Sequence, residues 1–205
     1  MMANRSSTER MANGETVSSE VDLPLAIRHS LHRSRIVAEA RGWIGTPYRH
    51  QGSAKGVGCD CLGLVRGVWR AVYGSEAEPV PAYSSDWGQV TGEETMLAAA
   101  RRHLVEVAAD DLRPGNVVVF RMHRRAIAKH AGILTASGEW RMANRETGPS
   151  TGAARDPQFA TRHSPFAIRF IHAYQPMRVA ENWLDDWWAK RIAAVFEFPG
   201  MANSE

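Results

Sequence analysis

Apolar positions recur at helical spacing in the first half of the chain and in strand-like runs in the second. Ile36, Ala40, Trp43 and Ile44 fall at i, i+4, i+7 and i+8, the spacing of one buried helical face. A first helix is therefore expected from Asp22, a candidate N-cap with Pro24 in the first turn, to Ile44. Leu64, Val65, Val68, Trp69 and Val72 mark a second helix, which Gly74 ends as the residue after its last turn. "TGEE" signals a third: Thr91 with Glu94 three residues on forms a capping box ahead of Met96, Leu97, Ala100 and Leu104. From Asp111 the period shortens. "LRPGNVVVFRM" reads as a Pro-Gly turn into a strand, "KHAGILT" as its neighbour, and residues 121–129 as the basic hairpin connection between them. "FAIRFIHAY" and "RIAAVFEF" supply two more strands. "ENWLDDWWAKR" reads as a helix in which Trp183 and Trp187 are i, i+4 neighbours with Trp188 beside them, packed on the sheet and dense enough to offer a protein partner a patch. Helices first and strands after predict an α+β fold, with N-terminal helices packed on an antiparallel β-sheet.

Residues 1–21 show no period and are rich in Ser, Glu, Asn and Arg, the composition of a disordered or partner-dependent arm. A domain is expected over 22–199 and a short tail over 200–205. Inside the domain, about 135–165 is dominated by Gly, Pro, Ser, Thr, Arg and Asn and reads as an inserted loop: a lid, a docking segment or a disordered stretch. At 44% hydrophobic over 205 residues, the chain is able to bury one core without disulfides. The net charge of +3 is too mild to call for nucleic acid. The N-terminus shows no targeting segment and no apolar run is long enough to span a bilayer, so the expectation is cytoplasmic synthesis with delivery by something else.

Both cysteines flank one aspartate, in "GCDCLGL". Cys61 falls in the first turn of the second helix, where unsatisfied N–H groups and the positive end of the dipole favour a thiolate, and Asp60 suits the N-cap. The same position also suits a small buried hydrophobe. A cysteine nucleophile needs a base, and the base an orienting partner. His130 and His172 both lie in strand runs. Alternation puts His130 on a face with Gly132 and Leu134, and His172 on a face with Phe170 and Tyr174, so the two imidazoles meet if those strands pair with these faces together. The alternative is two unrelated histidines bonded to backbone. Cys59 precedes the helix and is read as a structural thiol. A zinc site from Cys59, Cys61, His50 and a distant histidine has the wrong thiol spacing, so no metal is expected. Arg121, His123, Arg124, Arg125 and Lys129 read as a solvated hairpin tip or a contact for an anionic polymer.

"GTPYRHQGSAKGVGCDCLGLV" resembles the signature of NlpC/P60 cysteine peptidases, and "RPGNVVVFRM…KHAGIL" and "RFIHAY" resemble the two later blocks of that family. The resemblance implies a papain-like α+β fold with Cys61 as nucleophile, His130 as general base and His172 as the third residue. It places Tyr48 beside the nucleophile, for the oxyanion or for substrate, and Asp60 as the acid before the cysteine. It implies hydrolysis of an amide in peptidoglycan stem peptides, γ-D-glutamyl to diaminopimelate, without a cofactor. "PAYSSDW" and "RIAAVFEFP" are similar to the branch found in phage tails and gene-transfer agents, which implies tail or baseplate partners and action in the periplasm of a target cell. Rivals are a tail-hub adaptor with this fold and little turnover, and an acyltransferase using the same Cys and His. Two departures stand out: Leu62 replaces a serine common in the family, and the 135–165 insertion separates His130 from His172, which leaves Asn144 and His163 as alternative third residues.

Overall fold

Val117, Val118, Val119 and Phe120 are all buried, and alternation along the strand sends them to two different cores. This is why the run reads as continuously apolar: the sheet is covered on both faces. The computed structural model describes residues 23–84, 92–136, 168–174 and 176–200. The expected arm, the tail beyond Gly200, nearly all of the 135–165 loop, Asp22, Thr91, Asn144 and His163 lie outside these residues.

The elements in chain order are α1 (Leu25–Arg41), β1 (Ser53–Ala54), β2 (Gly58–Cys59), α2 (Cys61–Tyr73), α3 (Thr95–His103), β3 (Val105–Val107), β4 (Val117–Phe120), β5 (His130–Ala136), β6 (Arg169–Ala173), β7 (Val179–Trp183), α4 (Asp186–Ala189) and β8 (Ile192–Glu197). β1 and β2 form a small hairpin, and the other six strands form an antiparallel sheet in the order β3-β8-β4-β5-β6-β7. On one face, Val117, Val119, Ile133, Ile171 and Phe196 pack with Ile36, Ala40, Leu64 and Val68 of α1 and α2. On the other, Val118, Phe120, Leu134, Phe170 and Val195 pack with Leu184 and Trp188. The fold is thus α+β, with helices on an antiparallel sheet.

α2 is seated by two close approaches. A Cβ on Gly63 would lie 1.8 Å from the Gly52 carbonyl oxygen, and one on Gly67 would lie 2.0 Å from the Trp43 ring, so both positions need hydrogen as the side chain. Gly74 closes the helix in the left-handed conformation at φ 83.

Several expectations need correction. α1 ends at Arg41 with Pro24 in the N-cap position, and the turn that follows buries Trp43 but rotates Ile44 outward, 47% exposed. α3 starts at Thr95 with Glu94 at its N-cap, and the Glu94 side chain makes no cap. Its carboxylate instead accepts from Arg121 and from the Ala128 N–H at 2.9 Å, tying down the connection between β4 and β5. Arg121 is therefore engaged, whereas His123, Arg124 and Arg125 are exposed. Residues 181–191 are not one helix. Trp183 ends β7, and α4 is a single turn capped by Asp185, so Trp183 and Trp187 are not helical neighbours. Trp188 is buried against the sheet, while Arg169 and Arg191 lie over the exposed rings of Trp183 and Trp187 at 3.8 and 3.7 Å. The edge strands β3 and β7 were not anticipated.

Candidate active site

Cys61 opens α2 directly after the β1–β2 hairpin, whose last residue, Cys59, pairs with Ser53 and bridges Tyr48. The hairpin register thereby brings Tyr48 to the mouth of the helix. Cys59 itself is turned fully into the core, as expected of a structural thiol. Asp60, buried at the N-cap, organises the mouth. Its Oδ1 accepts from the Gly63 N–H at 2.8 Å, and its Oδ2 accepts from the Gln51 N–H at 2.7 Å and the Tyr83 hydroxyl at 2.6 Å. His50 Nδ1 lies 3.6 Å from the same carboxylate. Gln51 adopts φ 61, a left-handed conformation that costs a non-glycine residue energy and that these bonds hold in place. Its side-chain amide donates to the Tyr83 carbonyl at 2.6 Å. Tyr83 is so fastened at both its hydroxyl and its backbone.

The histidines meet as the strand alternation requires. β5 and β6 pair in the register Leu134 to Phe170, and His130 Nε2 lies 2.9 Å from His172 Nδ1. Both rings belong to the face that holds Phe120, Phe170 and Trp188. Trp188 stacks on His130 with ring centroids 5.5 Å apart, and Phe170 lies 4.5 Å from His172. α2 packs on the opposite face, and Cys61 meets β5 only where that strand begins. There Cys61 Sγ donates to the Lys129 carbonyl at 3.8 Å and touches the backbone of Ala131. Cys61, Tyr48, Asp60, Tyr83, Lys129 and His130 line one open cavity of about 290 Å³.

Electrostatics set the resting state. Burial pushes the Cys61 thiol up to about 12, with the Asp60 carboxylate adding to the effect and the backbone N–H groups only partly opposing it. Burial first, and then His172, lower His130 to about 3, and burial lowers His172 to about 4. The thiolate expected at the helix terminus is overridden: thiol and imidazole are both neutral. With His130 Nε2 committed to His172, Nδ1 is the ring nitrogen left for another partner.

The structure thus gathers Cys61, His130, Tyr48 and Asp60 at one cavity and places His172 directly behind His130. Sequence reasoning missed His50 and Gln51 as partners of Asp60, and it quoted Tyr83 only within a resemblance. It also missed Trp188 as the cover of the histidine pair, and Asn182, whose amide Nδ2 lies 2.9 Å from His172 Nε2. The one available signal was the proline-bounded aromatic segment around Tyr83.

Residues 45–162 match the model of the NlpC/P60 family. Over 110 residues the chain is 32% identical to a gamma-DL-glutamyl hydrolase of Bacillus subtilis, an alignment covering 54% of this chain and 23% of that protein. Over 158 residues it is 25% identical to the murein DD-endopeptidase MepS/murein LD-carboxypeptidase of Escherichia coli, covering 76% of this chain and 74% of that one. Among solved structures, the NlpC/p60 domain of the peptidoglycan hydrolase SagA aligns with a TM-score of 0.47 at 18% identity, covering 81% of this chain and 98% of that domain.

Proposed function

Because the chain belongs to the NlpC/P60 family, a family of cysteine peptidases, we propose that it hydrolyses amide bonds in peptidoglycan stem peptides, with Cys61 as nucleophile, His130 as base and His172 as the residue that orients it. The observation that carries this reading is the imidazole pair, 2.9 Å apart and backing onto the cavity that the Cys61 thiol enters. Relatives named for glutamyl and murein hydrolysis support the substrate class.

In the proposed mechanism the thiol proton passes to His130 Nδ1 as Sγ bonds to the amide carbon. The backbone N–H of Cys61, aided by Tyr48, receives the developing oxyanion. The carbon–nitrogen bond then breaks, His130 returns the proton to the leaving amine, and a thioester remains. Water, deprotonated by His130, releases a carboxylic acid and restores the thiol. Asp60, already accepting three hydrogen bonds, acts here by holding the loop and Tyr83. The finer reading, cleavage between γ-D-glutamate and diaminopimelate by a component of a phage-like tail acting in the periplasm, rests on the resemblance of "PAYSSDW" and "RIAAVFEFP" and of the signature blocks.

Digestion of purified sacculi followed by mass analysis tests the proposal. The wild type should release muropeptides with a newly freed amine, and Cys61→Ala should release none. Equal release by both would refute it, and a newly capped amine would reassign the site to acyl transfer.

A further inference from the structure

Behind the histidine pair the hydrogen-bonded chain runs one residue further. Asn182, on the edge strand β7, stands opposite Phe170 and therefore shares a face with Phe170 and His172. Its amide Nδ2 lies 2.9 Å from His172 Nε2. His172 is wholly buried, whereas Asn182 is exposed, so the far end of the amide is free to be hydrated whichever way it turns.

Every nitrogen in this chain either donates or accepts, so the end of the amide that faces His172 decides the tautomer of both rings. With Nδ2 inward, His172 Nε2 accepts and its Nδ1–H donates to His130 Nε2. Neutral His130 then carries its proton on Nδ1. With Oδ1 inward, His172 Nε2–H donates to the amide, His130 Nε2–H donates to His172 Nδ1, and His130 Nδ1 is bare. Only the second arrangement can take a proton from the neutral Cys61 thiol. A half-turn of one exposed amide separates them.

We propose that Asn182 is a positioning residue whose amide oxygen, turned to His172 Nε2, selects the His130 tautomer that accepts the Cys61 proton. This rests on the assignment of Cys61 and His130 as nucleophile and base. The relay then has four members, Cys61, His130, His172 and Asn182. Its outer end is at the solvent-facing edge of the sheet, away from the cavity.

Alkylation of Cys61 by iodoacetamide at neutral pH reads proton removal from the thiol without any substrate, and fragment-ion sequencing of the peptide that carries both thiols separates Cys61 from the buried Cys59. Asn182→Leu keeps the branched shape and the heavy-atom count and removes the polar atoms, and it should slow alkylation about tenfold. Asn182→Asp can only accept, and it should react at least as fast as wild type. Wild-type reactivity in Asn182→Leu would overturn the proposal. So would an Asn182→Asp variant as slow as the leucine one, because the amide would then act as a donor. His130→Ala, measured in parallel, separates the two levels: slow alkylation there upholds the base even where Asn182 proves inert, and unchanged alkylation brings down the base and the relay together.

Discussion

Acidification should destabilise this fold through His172, because burial disfavours the charged ring. The ring is completely buried among Phe170, Trp188 and Tyr174, with centroids at 4.5, 5.0 and 5.7 Å, and its hydrogen-bond partners are His130 and Asn182 rather than a carboxylate. Burial lowers it from the ordinary 6.5 to about 4. Between those two values the unfolded chain binds a proton that the folded chain refuses, so stability falls as pH falls and levels off below the lower one. At pH 5 the unfolded imidazole lies about 1.5 pH units under its own midpoint. At about 1.4 kcal/mol per unit, the folded state loses about 2 kcal/mol relative to neutral pH. Glutamine at 172 removes the titration and retains an amide. His172→Gln should be less stable at both pH values, but its loss between pH 7 and pH 5 should be about 2 kcal/mol smaller than that of wild type. Urea unfolding followed by tryptophan fluorescence at the two pH values gives the comparison, in which His130 is common to both proteins. Losses that agree within about 0.5 kcal/mol would refute the reasoning, since the ring would then be hydrated or charged in the folded state.

Two further outcomes follow from the mouth of α2 and its seat. Asp60→Asn removes the negative charge that raises the Cys61 thiol, so the midpoint of Cys61 alkylation against pH should move down while the fold loses about 1–3 kcal/mol, because an amide nitrogen replaces the oxygen that accepts from Gln51 and Tyr83; an unmoved midpoint would show that the carboxylate is electrostatically silent. Gly67→Ala puts a methyl 2.0 Å from the Trp43 ring and should cost about 2–3 kcal/mol, lowering the melting temperature by about 5–10 °C; an unchanged melting curve would mean that the ring moves freely.

Much of this was legible in the sequence because local chemistry and tertiary packing agree. Asp60 and Gly74 bound α2 by capping rules that need no distant partner, and the alternation around His130 and His172 predicted a meeting that the β5–β6 register then makes. Reading failed where long-range contacts decide. Ile44 fits the buried helical face by spacing, yet it lies beyond the last turn, where that spacing no longer applies. Helix-forming residues in 181–191 lose to the pairing of β7 with β6, which spends Glu181, Asn182 and Trp183 on a strand. The thiolate expected of Cys61 was argued from the helix terminus alone, without the burial and the Asp60 charge that only the folded chain reveals. Asn182 had no signal at all, because its role depends on standing opposite Phe170 across an edge pairing.

The two glycines of α2 work as mechanical stops. A carbonyl oxygen meets the helix at Gly63 and an indole face meets it at Gly67, so its depth and roll are set by hard contacts and not by the aliphatic side chains it buries. Trimming Val68 or Leu64 would loosen the protein while leaving the sulfur where it is. A side chain at 63 would meet the Gly52 carbonyl and push the helix, with the sulfur at its mouth, off its seat. Durability and aim are therefore entrusted to different residues, and this protein can drift in one without losing the other.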